Sequence, residues 1–152
     1  MKTVSKQTLR KSFLNWFFWN GCSQQAETML GMAFGQSMAP AIEELYDTKE
    51  DRSAALQRHI TLFNTESQVG SICNGIAIGM EEQLANGNGS AESIQEAKVA
   101  LIGPTSAIGD SLWVATIIPL LLTICLSIAN ALSGAAWVGA VIYMVVYPVG
   151  TY

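Results

Sequence analysis

Charge is absent from the last quarter of the chain. From Ser111 to Tyr152 there is no Asp, Glu, Lys, Arg or His, although 8 basic and 12 acidic residues precede that stretch in a chain of 152. A soluble domain normally covers its surface with charged side chains, so this absence predicts an integral membrane protein. Cysteine is scarce and scattered. Cys22, Cys73 and Cys125 form no CxxC pair, and His59 is the single histidine. No disulfide framework and no metal site are therefore expected. Dense basic stripes are also missing, and the net charge of −4 argues against nucleic acid as a partner. Gly103 to Gly109 does not spell GxxxxGK[ST], so no nucleotide cradle is expected. No nucleophile elbow is present, so no catalytic residue and no cofactor are expected. The basic N-terminus is followed by too short an apolar run, without a small-residue cleavage site, to read as a cleavable signal peptide.

What is present is a helical pattern. Met1 to Ala26 carries Lys2, Lys6, Arg10 and Lys11 with no acid, followed by Phe13, Leu14, Trp16, Phe17, Phe18 and Trp19. Basic residues beside aromatics suit a membrane headgroup layer, which predicts an interfacial amphipathic arm. Plain packing of those aromatics into a core is the competing reading. Glu27 to Tyr46 is helix-like, with a GxxxG pair at Gly31 and Gly35 and a kink or restart expected at Pro40. Asp47 or Thr48 can cap a short helix ending near Leu62.

The stretch from Arg58 to Glu82 organises the rest. Arg58 and His59 sit where a helix ends, and a cation there suits the helix dipole. Asn64 can adopt the left-handed conformation of a helix stop. Thr65 is expected to cap the next helix, with Gln68 completing a capping-box spacing. Val69, Ile72, Cys73, Ile76, Ala77 and Met80 then define one apolar face. Gly75 and Gly79 repeat the GxxxG spacing, which permits close helix approach.

After a loop at Asn86 to Ser90, Ser90 can cap a helix through about Ile102. Gly103 to Asp110 is expected to break regular structure, with Asp110 capping the membrane helix beyond it. Ser111 to Leu132 has the length of about 20 residues needed to span the hydrocarbon layer. Its Thr116, Thr123, Ser127 and Asn130 suggest a side facing protein. Ser133-Gly134 reads as a turn, and Ala136 to Tyr152 as the second arm of a membrane hairpin. The expected fold class is all-α and integral to a membrane. It is one domain of three regions: arm and helix over 1–46, polar helical motifs over 47–110, and the hairpin over 111–152.

These residues resemble the IID component of the mannose/fructose/sorbose-type sugar phosphotransferase system. The likeness rests on Glu27-Thr-Met-Leu-Gly31-Met-Ala-Phe34 with Pro40 and Leu45-Tyr46, on Arg58-His59 with Phe63-Asn64-Thr65, on Gly79-Met80-Glu81-Glu82, and on Lys98 with Gly103-Pro104 and Ile108-Gly109-Asp110-Ser111. It covers nearly the whole chain. Thr28 stands where the family usually has Arg, and Glu66-Ser67 where it commonly has His-Pro. Members are normally longer, so the sequence is expected to be a truncated form, a fragment or half of a split subunit.

The resemblance implies a permease subunit in the bacterial cytoplasmic (inner) membrane. Such a subunit pairs with an IIC partner of related, oppositely oriented fold, in a hetero-oligomer of threefold symmetry. The pair binds a hexose-type sugar and translocates it, coupled to phosphorylation by IIB, which IIA charges. IID itself is not a phosphoryl carrier. A truncated, non-transporting interaction or regulatory subunit is the alternative. A soluble enzyme with a membrane anchor would need a catalytic constellation that the first 110 residues lack. Candidate sugar contacts are Asn64 and Thr65, an amide beside a hydroxyl, with Glu66 as a further acceptor and Glu81 as a carboxylate near membrane depth. Helix ending and capping is the plainer role for Asn64 and Thr65, and for Glu81 and Glu82 it is a place at the water interface, paired with Lys98 or Arg58. For His59 a structural hydrogen bond is favoured over phosphorylation, since the family's relay runs through other subunits. Asp110 is placed as a helix cap or a substrate residue.

Overall fold

A computed structural model describes residues 1–132, 135 and 137–151. Among these residues the ordered elements are helical: α1 (Lys6–Trp19), α2 (Gly31–Leu45), α3 (Lys49–His59), α4 (Ser67–Ala85), α5 (Ala91–Gly109), a π-helical segment (Asp110–Ile117), α6 (Ile118–Ala131) and α7 (Trp137–Thr151). The all-α fold is as the hydrophobic periodicity predicts. The chain forms two compact units, Met1–Ser106 and Ala107–Tyr152.

The first unit is built on α2. Its Ala33, Phe34, Met38, Ala41, Ile42 and Leu45 are buried, the repeat at three and four that one helical face requires. Against that face lies Trp16 of α1, 2% exposed, edge-on to Phe34 and Phe63. Phe13, Phe18 and Trp19 remain exposed on the same helix. The aromatic arm thus divides: Trp16 joins the core, and the others stay available to a headgroup layer. Ahead of α1, the amide of Val4 donates to Glu82, and Lys2 and Asn86 exchange two hydrogen bonds of 2.7 Å. These bonds tie the N-terminus to the end of α4.

Two caps follow the sequence. Thr48 accepts from the Asp51 amide ahead of α3, and Ser90 from the Ser93 amide ahead of α5. Three expectations need correction. The cap of α4 is Glu66, whose carboxylate accepts from the amides of Gln68 and Val69, and not Thr65. A carboxylate at that position also carries the charge that a helix N-terminus favours. The buried stripe of α4 is Gly70, Cys73, Asn74, Ala77, Ile78 and Glu81, one residue round from the predicted face. Ile72 and Ile76 are left exposed, at 57% and 40%.

The third correction concerns Gly103 to Asp110, which does not break the chain. Gly103 and Pro104 lie inside α5, and Gly109 and Ile118 on either side of the π segment have ordinary right-handed dihedrals. Gly and Pro are common in membrane helices, where packing outweighs their local cost. Asp110 therefore opens the π segment without capping a helix start.

Ala91–Ala131 is long and apolar enough to cross a membrane, and only 6% of its most apolar 18-residue window is buried. A soluble core helix of that composition would be mostly covered. Thr123 Oγ1 donates to the Pro119 carbonyl and Ser127 Oγ to the Thr123 carbonyl. Thr116 Oγ1 likewise donates to the Ser111 carbonyl. These hydroxyls are satisfied on their own backbone, so they do not require the protein-facing side their polarity suggests. Within the second unit α6 packs on α7 where Gly139 meets the Cys125 carbonyl and Ala129. The predicted turn Ser133-Gly134 lies outside the described residues, as does Tyr152.

Candidate functional site

The segment after α3 is gripped from several directions, all within the first unit. Two of the last carbonyls of α3 belong to Arg58 and His59, and a helix end leaves such acceptors without intrahelical donors. Lys98 of α5 supplies them: its Nζ donates to the Arg58 carbonyl at 3.0 Å, the His59 carbonyl at 3.3 Å and Thr61 Oγ1 at 3.2 Å. Gln95 Nε2 adds a further bond to the Arg58 carbonyl. The cation that complements this helix end is therefore Lys98. Arg58 points its guanidinium elsewhere.

That guanidinium meets Glu81 of α4. Arg58 Nε lies 2.6 Å from Glu81 Oε1, and Nη2 lies 2.9 Å from Oε2. His59 Nε2 donates to Oε1 at 2.7 Å, and the Tyr46 hydroxyl to Oε2 at 2.6 Å. Glu81 and His59 are fully buried. Burial by itself pushes the Glu81 carboxyl up, but the donors from Arg58, His59 and Tyr46 outweigh it and hold the group down at about 2. Burial lowers the pKa of His59 despite the carboxylate beside it, so its imidazole is neutral, with the proton on Nε2. Desolvation and the adjacent carboxylate raise the Tyr46 phenol and keep it a donor.

These shifts set the sign of the pH dependence. Both the Glu81 and the His59 folded-state pKa values lie below their unfolded ones, so the unfolded chain binds more protons and stability falls with falling pH. For His59 the loss starts as pH drops through about 6.5, and for Glu81 it runs from about 4.5 down to about 2. Denaturant midpoints for the Met1–Ser106 unit should drop steadily between pH 7 and pH 3. A midpoint independent of pH over that range would refute this assignment.

The turn itself is fixed by backbone. Leu30 N–H donates to the Phe63 carbonyl at 2.8 Å, and Phe63 N–H to the Thr28 carbonyl at 3.2 Å. Met29 between them has a positive φ of 51°, a left-handed residue held by pairing on both sides. Thr28 Oγ1 accepts from Gln25 Nε2. The Asn64 carbonyl accepts from Ser106 Oγ, and Thr65 Oγ1 donates to Thr105 Oγ1 at 2.8 Å.

The sequence candidates separate accordingly. Asn64 is exposed, and its side chain has no hydrogen bond among the described residues. Thr65 is buried and engaged with Thr105. Glu66 is half-buried and caps α4 through Oε2. Glu81 is closed to solvent, with both oxygens accepting twice from protein donors. His59 Nδ1 is buried without a partner among the described residues. Asp110 is exposed in the second unit. Sequence reasoning misses the parts of Tyr46, Gln95 and Thr105. Tyr46 and Lys98 stand in the family motifs, but only the folded chain joins Tyr46 to Glu81 and Lys98 to the end of α3.

Comparison with known proteins agrees with this architecture. Residues 3–152 match the model of the PTS system mannose/fructose/sorbose family IID component. The fructose permease IID component of Bacillus subtilis (strain 168) is 33% identical over 129 residues, which is 84% of this chain and 46% of that protein. The mannose-specific EIID component of Escherichia coli (strain K12) is 35% identical over 120 residues, 78% of this chain and 42% of that protein. A solved structure of the mannose transporter ManYZ with microcin E492 superposes with a TM-score of 0.89 at 31% identity, covering 99% of this chain and 54% of that one. This chain thus spans about half the length of the relatives it matches. It belongs to the IID component family of the mannose/fructose/sorbose sugar phosphotransferase systems.

Proposed function

We propose that the chain acts as a membrane subunit of a bacterial sugar permease, in the cytoplasmic membrane. With an IIC subunit it binds and translocates a hexose-type sugar, while IIB, charged by IIA, phosphorylates the sugar as it is released. Complexes of threefold symmetry are the expected assembly. The observation that carries the site assignment is the contrast within one turn. The backbone of Asn64 is anchored, while its carboxamide is exposed and unengaged among the described residues. A fixed amide offers a sugar hydroxyl a donor and an acceptor at once, with little ordering cost left to meet on binding. Glu66 lends a second acceptor beside it through the oxygen that does not cap α4. Thr65 and Glu81 support that turn from behind, where their hydrogen bonds are already committed.

Asn64→Ala in the assembled permease should reduce sugar affinity about tenfold, with the complex still intact on purification. Uptake and binding at unchanged affinity in that variant would remove Asn64 from the site.

A further inference from the structure

Among the described residues Met29 is the one non-glycine residue with a left-handed φ, at 51°. An L side chain is crowded in that conformation, which glycine or asparagine bears more easily. The neighbours enforce it. Met29 N–H donates to the Gln25 carbonyl at 2.9 Å, and Gln25 N–H to the Met29 carbonyl at 3.4 Å. On the other side Met29 is bridged to Phe63. The core gains nothing from this strain. Phe63 is fully buried, whereas Met29 is 41% exposed. Leu62 and Asn64, which flank Phe63, are exposed as well, as the alternation of an extended segment requires. A crowded side chain held at the surface by its backbone marks a functional position.

We infer that Met29 is a further sugar-contacting residue, its thioether lying against the C–H face of a pyranose whose hydroxyls reach the Asn64 carboxamide. This rests on the sugar-binding reading of Asn64. A pyranose carries hydroxyls around its rim and C–H groups on its faces. The carboxamide meets the rim with a donor and an acceptor, and an apolar surface is needed for the face. An unbranched, polarizable thioether adapts to such a face. The backbone bridge sets Met29 opposite Phe63, and Asn64 is the next residue of that segment. Both groups are therefore held in place before a sugar arrives, which lowers the ordering cost of binding.

The test uses the chain purified with its IIC subunit and carrying carbon-13 on its methionine methyls. Met29→Asn accepts the left-handed conformation, so fold and assembly should survive. Its hexose affinity should fall about tenfold, while Met29→Leu, which keeps an apolar side chain of similar size, should stay within about twofold of wild type. Saturating the methyl signal that the Leu variant lacks should transfer to ring protons of the bound hexose. Wild-type affinity in Met29→Asn, equal weakening in both variants, or no transfer overturns the inference while an effect of Asn64→Ala leaves the sugar site standing. Loss of IIC from the Met29→Asn complex would make Met29 a subunit contact and overturn it too. If Asn64→Ala also binds hexose as wild type does, the reading of the sugar site falls, and this inference with it.

Discussion

Glu81→Ala is expected to destabilise the Met1–Ser106 unit by roughly 3–5 kcal/mol, the range found when one member of a buried ion pair is removed. The carboxylate is the common acceptor for Arg58, His59 and Tyr46. Its loss leaves a guanidinium whose side chain is only 14% exposed with no counter-charge, and an imidazole N–H with no acceptor in a closed core. Glu81→Gln keeps the shape but turns an amide N–H towards donors, so it should fall between wild type and Ala. Urea unfolding in detergent, followed by helical circular dichroism, measures both. An Ala variant with the wild-type midpoint would show that the network contributes nothing. The change should also reach the turn, because Arg58 and His59 immediately precede the segment that carries Asn64.

The second large effect concerns glycine. A Cβ on Gly31 would collide with the Thr61 carbonyl oxygen and lie 2.8 Å from the Ile60 carbonyl oxygen. Both are backbone atoms, which cannot rotate aside, so α2 and the turn must separate. Gly31→Ala should cost about 1–3 kcal/mol, as overpacking does. By displacing the turn it should also depress sugar uptake. Gly79, from the other GxxxG pair, has nothing within 4 Å of a built Cβ. Gly79→Ala should therefore stabilise the helix by about 0.5–1 kcal/mol. Thermal unfolding of the two variants side by side decides the matter. Equal behaviour would contradict the packing described for Gly31.

The two glycine pairs show where the sequence is legible and where it stops. Both spell GxxxG, and spacing alone cannot say which one meets another backbone. The helices around them are readable from periodicity and from short polar caps such as Thr48 and Ser90, because those signals are local. The predicted face of α4 is off by one residue because periodicity counts apolar residues alone and leaves out the buried Asn74 and Glu81. Their partners, Ser37, Tyr46 and Arg58, lie 23 to 37 positions away. Gly103-Pro104 reads as a break because local propensity disfavours helix there, whereas the helix is continuous through both residues. The Asn64 turn is legible as a turn, but its restraint is not, because that comes from Thr28, Leu30, Lys98, Thr105 and Ser106.

The exposed apolar surface is explained by the same family membership. Ile72 and Ile76 on α4, and Leu120, Ile124 and Leu126 in the second unit, stand open among the described residues. In an integral membrane protein such faces can meet lipid, so they carry no solubility cost of the kind a free monomer in water would bear.

Titration of hexoses into the chain purified with its IIC subunit, compared with the same complex carrying Asn64→Ala, tests the central assignment most directly. The expected result is saturable binding of a hexose that the substitution weakens about tenfold. A correctly assembled complex that binds no hexose, or binds it equally well without the Asn64 carboxamide, would contradict it.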